Sequence, residues 1–355
     1  MSLVQLRVPS SIDPAVRGGP LVDRLDRRVR YLRVSLTDRC NYRCTYCMPD
    51  RPLEYGPRSQ VLSIEEVVRV CEAFARWGVE RVRLTGGEPT LRRGLVELVR
   101  RLTSIPTTRG RLEVVMTTNG ERLEGLAEPL ARAGLRSLTV SIDSLDPQRF
   151  QRITRRGSLA RVQAGLEAAR AAGLAPLKIN TVALLGFNDD ELASIVRWAW
   201  ERDVVPRFIE LMPMSAGELF VPGTLIPATQ IRARVADALG LDLRPDDGQG
   251  VAGSGPATYW RAHGGLFDGR RLGTIAAMTE NFCQSCNRLR ISATGQLHAC
   301  LARDDTGDLR SALRSSDPDR LEAIVRGALG TKRDGHGFNI DGSGGPTKAM
   351  VSIGG

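Results

Sequence analysis

Short apolar, β-branched runs alternate with stretches of helical periodicity through most of this chain. The runs predict strands over 31–36, 81–85, 112–118, 137–142, 177–184 and 206–211. Between them, apolar positions every three to four residues predict helices over 63–77, 95–102, 123–133, 159–172 and 189–202. The first of these opens on Ser63-Ile64-Glu65-Glu66, a capping-box pattern, and stops at Gly78. Six strand–helix units or near-units in order, the last strand without its helix, mean a parallel sheet with right-handed crossovers, either closed or open. Polar residues or glycine stand at the end of every strand: Thr37-Asp38, Thr85-Gly86-Gly87-Glu88, Thr117-Thr118-Asn119, Ser141 with Asp143, Asn180-Thr181, and Glu210 with Met212. In α/β barrels that rim carries the chemistry, which leans the reading toward a barrel. Beyond 214 the alternation ends. Residues 240–265 are rich in Gly, Asp and Pro and are expected to form a surface loop or linker, and 334–355 form a glycine-rich tail without helical periodicity.

Composition sharpens this picture at two points. The chain has 355 residues, 42% of them apolar, enough for a large core and against general disorder. No apolar run approaches the ~18 residues of a membrane span, and residues 1–30 hold no signal core, so a cytoplasmic location is expected. The formal charge is +10, carried almost wholly by arginine; the three lysines are Lys178, Lys332 and Lys348. With aromatics at 5% and no compact basic block, an anionic small substrate fits this charge at least as well as nucleic acid. The seven cysteines fall as Cys40, Cys44 and Cys47, then Cys71, then Cys283, Cys286 and Cys300. An odd count argues against a disulfide framework, and two distant triads argue for metal chemistry. Cys71 lies within a helix and is expected to be a small buried residue.

The first triad follows the first strand directly, with no fourth cysteine or histidine nearby. Three thiolates suit an iron–sulfur cubane with one iron left open, whereas structural zinc wants four closed ligands. The second triad has His298 close by, so a zinc site of three cysteines and one histidine stands beside the cluster reading there.

C-x3-C-x2-C with Tyr46 before the last cysteine, followed by Thr85-Gly86-Gly87-Glu88-Pro89, resembles the radical S-adenosylmethionine (SAM) enzymes. Leu32-Arg33-Val34-Ser35-Leu36-Thr37-Asp38-Arg39-Cys40, Asn281-Phe282-Cys283-Gln284-Ser285-Cys286-Asn287-Arg288-Leu289-Arg290 and the final Ile353-Gly354-Gly355 are similar, more narrowly, to the molybdenum cofactor biosynthesis protein A family of GTP 3′,8-cyclases. The resemblance implies an incomplete (βα)6 TIM-like barrel over 23–214, preceded by a lead over 1–22. It also implies a C-terminal segment over 215–333 that binds a second cluster and covers the open side. Two [4Fe–4S] clusters are implied, on Cys40, Cys44 and Cys47 and on Cys283, Cys286 and Cys300. The first, with SAM held at Tyr46, Gly87, Ser141 and Met212, would release a 5′-deoxyadenosyl radical; the second would bind the guanine of GTP. Arg33, Arg83, Thr117, Lys178, Arg288 and Arg290 match GTP-contact positions, and Gly354 and Gly355 match a tail required for activity. Hydrogen abstraction from ribose C3′ and attack on C8 would give (8S)-3′,8-cyclo-7,8-dihydroguanosine 5′-triphosphate, the first step of molybdenum cofactor biosynthesis. The reaction is of lyase type. An external electron donor, a downstream cyclic pyranopterin monophosphate synthase and a monomeric or homodimeric state are further expectations. A radical SAM enzyme acting on another substrate, such as a peptide, is the alternative.

Overall fold

A computed structural model describes residues 18–49, 55–215, 218–246, 255–315, 317 and 319–354. The six predicted strands form as β1 (Tyr31–Ser35), β2 (Arg81–Thr85), β3 (Glu113–Thr118), β4 (Ser137–Ser141), β5 (Leu177–Ala183) and β6 (Val205–Glu210). They pair side by side, all parallel, in chain order. The helices between them are α1 (Ile64–Arg76), α2 (Leu95–Thr103), α3 (Ala127–Arg132), α4 (Pro147–Thr154), α5 (Leu159–Ala171) and α6 (Leu192–Trp200).

Local chemistry sets these bounds. The Ser63 hydroxyl accepts from the Glu66 N–H while the Glu66 carboxylate accepts from the Ser63 N–H, so the capping box forms as expected. Val67, Val70, Cys71 and Phe74 then turn one buried stripe of α1 onto the sheet, and Cys71 is a core residue. The helix expected from 123 begins only at Ala127, because Pro129 has no N–H to donate and belongs in a first turn. Helix α4, opened by the Asp146 carboxylate accepting from the Arg149 N–H, was not expected.

The C-terminal part joins the same sheet. Its strands are β7 (Asp242–Pro245), β8 (Thr258–His263), β9 (Arg271–Ile275), β10 (Arg288–Ile291), β11 (Gln296–His298) and β12 (Thr306–Asp308). β9 pairs parallel with β6, and β10 pairs parallel with β1, which lengthens the parallel run to eight strands. The full order is β12-β11-β10-β1-β2-β3-β4-β5-β6-β9-β8-β7, an open sheet curved as an incomplete barrel. Strands β7 and β8 correct the loop expected over 240–265; they pair antiparallel at an edge, where half-exposed sequence needs no continuous apolar run. The remaining helices are α7 (Ala228–Leu239), α8 (Leu309–Arg314), α9 (Arg320–Gly330) and α10 (Met350–Ile353). The last gives the glycine-rich tail one helical turn that its periodicity did not reveal. A small apolar cluster of Met212, Met214, Phe338, Met350 and Ile353 ties that tail to the exit of β6. Among the described residues, no helix is long and apolar enough to cross a membrane.

Candidate functional site

A cavity of about 290 Å3 opens at the C-terminal ends of the strands and is roofed by the C-terminal segment. All six cysteines of the two triads line it, together with Tyr46, Gly87, Ser141, Met212, Thr117, Arg33, Arg288 and Arg290. The two triads therefore face one space, and every cysteine is a free thiol.

The first triad sits in a tight turn, where the Cys47 and Met48 N–H groups both donate to the Cys44 carbonyl at 3.0 Å. Burial first, then neighbouring thiols and carboxylates, push these thiols up: Cys40 to about 11, Cys47 to about 12, and Cys44 well above its ordinary value. Three thiols that cannot share negative charge among themselves are a donor set for a cationic centre, whose charge converts them to thiolates. The second triad differs. Burial and then Cys300 and Cys286 raise Cys283, whereas at Cys286 burial is outweighed by Arg288 and Lys332, which hold the thiol down to about 6. Among the described residues, no three His, Cys, Asp or Glu side chains are placed to share one ion. His298 is buried and does not line the cavity, so a single zinc gains no ligand set there. A cubane, in which each thiolate takes a different iron, accommodates the wider spacing.

The two glycines after β2 have a more definite role than approach to a ligand. A Cβ on Gly87 would stand 2.3 Å from the Arg39 carbonyl oxygen and 3.0 Å from the Cys40 nitrogen; one on Gly86 would stand 2.7 Å from the Thr37 carbonyl oxygen. Their absence lets the β2 loop lie against the cysteine loop, where the Gly87 N–H donates to Thr37 O (2.7 Å) and the Glu88 N–H to Arg39 O (2.9 Å). The Glu88 carboxylate is taken up by Thr90, Thr118 and the Asn119 N–H, so it pins β2 to β3. Tyr46 donates its hydroxyl to Asp143 (2.8 Å), which also accepts from the Val182 N–H and is pushed up to about 6 by burial.

Beneath this layer lies a ring of cations. Arg290, Arg33 and Arg83 are in register on the neighbouring strands β10, β1 and β2. Arg83 donates to Thr117 Oγ1 (2.9 Å) and to Thr139 Oγ1 (3.2 Å), and Arg207 on β6 donates to the same Thr139 hydroxyl (2.9 Å). Gly273 on β9 makes room for Arg207, since a Cβ there would stand 2.7 Å from Arg207 Cγ. Lys178 lies on β5 outside the main cavity lining and donates to Ser137 Oγ at 3.3 Å. Burial followed by Arg207 and Arg83 drives Lys178 down to about 7. Burial followed by Arg290 lowers Arg33, and burial followed by Arg288 lowers Arg290 to about 10. Guanidiniums stay protonated in proteins, so this crowding stands as repulsion that a multivalent anion relieves. Arg33 and Arg83 lie two residues before Ser35 and Thr85 on the same strand faces, about 6.6 Å deeper than the rim.

The C-terminal tail reaches this ring. Gly354 accepts from Arg290 at 3.2 Å, has φ +83°, and a Cβ there would stand 2.8 Å from Ser35 Cβ and from Thr85 Oγ1. Gly355 lies outside the described residues. Gly354→Ala is expected to lower turnover at least tenfold, because a left-handed residue with a Cβ costs ~1–2 kcal/mol before the clash is counted. Ser352→Ala, at an exposed position, is the control, and equal rates for the two variants would contradict the packing argument.

Comparison with known proteins decides the family. Residues 34–199 match the radical SAM superfamily, and residues 204–338 match the Molybdenum Cofactor Synthesis C family. A GTP 3′,8-cyclase of Rhodopseudomonas palustris (strain TIE-1) is 44% identical over 343 residues, covering 96% of this chain and 95% of that protein. Those of Bradyrhizobium diazoefficiens (45%, 94% of each chain) and Pseudomonas putida strain W619 (42%, 91% of this chain and 94% of that protein) are similarly close. The chain belongs to the GTP 3′,8-cyclase family. A crystal structure of Streptococcus suis SuiB bound to precursor peptide SuiA is 16% identical with a TM-score of 0.50, covering 60% of this chain and 46% of that one, and shares the radical SAM fold.

Three residues of this family member's site were not singled out from sequence. Asp143 had been noted only as part of the rim. Arg207 is a buried cation inside an apolar strand, the same signal that distinguished Lys178, but it was lost among many arginines. Asn180, like Asp143 part of the polar rim in the sequence, lines the cavity with its Oδ1 buried and without a hydrogen-bond partner, and that second feature exists only in three dimensions.

Proposed function

We propose that this chain converts GTP to (8S)-3′,8-cyclo-7,8-dihydroguanosine 5′-triphosphate, the opening step of molybdenum cofactor biosynthesis, using SAM and two [4Fe–4S] clusters. The observation that carries the reading is the in-register row Arg290–Arg33–Arg83, lying between two cysteine triads that face a single cavity, one past the end of β1 and one before the start of β10. A triphosphate brings concentrated negative charge to this row of three guanidiniums, which a peptide backbone does not.

Cys40, Cys44 and Cys47 would hold the first cluster, and Cys283, Cys286 and Cys300 the second. When bound, the first cluster and SAM supply the radical that abstracts hydrogen from ribose. Tyr46, Gly87, Ser141 and Met212, which line the cavity, would hold SAM, with Tyr46 fixed by Asp143. Arg33, Arg83, Arg207 and Lys178 would take the triphosphate at depth, with Thr117 and Thr139 orienting Arg83. Arg288 and Arg290 would reach it from β10. Each charge-assisted contact is worth ~1.5–3 kcal/mol, and together they hold the ribose still while the C3′–C8 bond forms. Gly354 would brace Arg290 through its carbonyl.

Residues 23–214 would act as the barrel unit, with 1–22 as a lead, 215–333 as the cover and 334–355 as the inserted tail. A cytosolic setting with a separate reductant and a downstream cyclic pyranopterin monophosphate synthase follows from the reaction, for a monomer or homodimer. The decisive experiment is anaerobic incubation of reconstituted protein with SAM, GTP and dithionite. The expected products are 5′-deoxyadenosine and a cyclised purine nucleotide; zinc without sulfide, or SAM cleavage that never yields a nucleotide product, contradicts the reading.

Lys178 gives this proposal a pH signature. The free protein holds it near 7, so at pH 8 it is largely neutral, and a triphosphate beside it restores the ammonium. GTP binding at pH 8 is therefore expected to take up about one proton, and affinity to fall as pH rises above 7. In the free protein the sign is set by the depressed value: stability rises from pH 7 toward the ordinary lysine range, where only the unfolded chain binds the extra proton. Calorimetry in two buffers of different ionisation heat checks this, and uptake that persists in Lys178→Met would rule it out.

A further inference from the structure

Two cations outside the ring are buried behind the second cysteine triad. Lys332, at the end of α9, is 3% exposed and donates to the carbonyl of Cys286 (2.8 Å) and to that of Arg288 (3.0 Å). Arg27 is 8% exposed and donates to the carbonyls of Cys283 (2.6 Å) and Arg333 (2.9 Å). Its Nε is paired with the buried carboxylate of Asp23 at 2.7 Å, and the same carboxylate accepts the Leu25 and Arg27 N–H groups. The Cys283–Cys286 turn is thus held from behind through its carbonyls, at one end by each cation. The Arg27–Asp23 pair is neutral as a unit, so the net charge of this bracket is that of Lys332.

A cubane held by three thiolates gains one negative charge on reduction, and cluster potentials follow net charge, hydrogen bonding and burial. A fixed ammonium behind the cluster favours the more negative, reduced state. The surroundings of the first triad are the reverse, since Glu88 and Asp143 stand near its thiols.

We propose that Lys332 is a positioning residue whose ammonium raises the reduction potential of the second cluster, while the Arg27–Asp23 pair fixes the turn that carries it. The inference rests on the two-cluster reading above. It gives the two centres separate potentials within one cavity, so that they accept electrons independently.

The test uses the full chain carrying Cys40→Ala, Cys44→Ala and Cys47→Ala, which isolates the second cluster. The reconstituted parent is expected to hold about four irons; none would sink the two-cluster reading and this inference with it. In an EPR-monitored redox titration, adding Lys332→Met is expected to lower the reduced-to-oxidised ratio at fixed potential at least tenfold, equivalent to about 59 mV for one electron. Lys332→Arg, which keeps the charge, is expected to stay near the parent. Full iron with an unchanged potential in Lys332→Met, or an equal shift in both variants, overturns the proposal. If Lys332→Met loads no iron, full loading of Lys332→Arg supports it, and failure of both alike overturns it in favour of a space-filling role.

Discussion

Cys44→Ala is expected to abolish SAM cleavage, whereas Cys286→Ala is expected to retain cleavage and lose cyclisation. Both thiols line one cavity, Cys44 in the turn after β1 and Cys286 just before β10. Removing Cys44 dismantles the centre that SAM must meet. On the proposed division of roles, removing Cys286 would free only the guanine anchor, so 5′-deoxyadenosine is expected to form still while the ribose is no longer held for bond formation. Each variant is expected to keep about four of the about eight irons of the parent, which shows that the other site survives. Anaerobic assays that follow 5′-deoxyadenosine and the cyclised nucleotide separately provide the readout. Equal loss of both products in Cys286→Ala would remove the division of labour between the two triads.

Gly87→Ala is expected to remove the first cluster while leaving the preceding strand β2 intact. Its new methyl would sit 2.3 Å from the Arg39 carbonyl oxygen and 2.5 Å from the Arg39 carbonyl carbon, and these are backbone atoms of the cysteine loop. No side chain can swing away, so the loop itself must move and carry Cys40 with it. Overpacking of this kind costs ~1–3 kcal/mol in stability, which the large core tolerates, but cluster geometry tolerates far less. The expected outcome is loss of about half the iron and of all SAM cleavage, with the second site still loaded. Gly125→Ala, where a Cβ would meet nothing within 4 Å, serves as the control. Full iron in Gly87→Ala would mean that the two loops are not packed as described.

Much of this was legible locally and some of it was not. The six central strands announced themselves because each is buried on both faces and must be apolar and β-branched, and their ends moved by only a residue or two. Strands β9 and β10 join that sheet as parallel partners of β6 and β1, a pairing between distant segments that no local pattern encodes. The antiparallel edge strands β7 and β8 read as a loop because their half-exposed residues form no continuous apolar run. Within the site, the cysteines were readable because thiols at fixed spacing have few other uses in a chain of this kind. The pair Gly86-Gly87 was found, but its packing against Thr37, Arg39 and Cys40 needed coordinates. Arg207 shows the opposite limit: an arginine-rich surface hides the few arginines that are buried.

The ladder joining Tyr31 to Arg288 and Val34 to Ile291 leads straight into both cysteine-bearing turns, one past the end of β1 and one before the start of β10. Inward and outward faces alternate, so the smallest slip that keeps Arg33 and Arg290 pointing inward is two residues, about 6.6 Å. Such a slip exceeds any tolerance for a nucleotide that must touch both centres at once. The span the substrate bridges is therefore written into main-chain pairing, and side-chain drift on the cover cannot alter it.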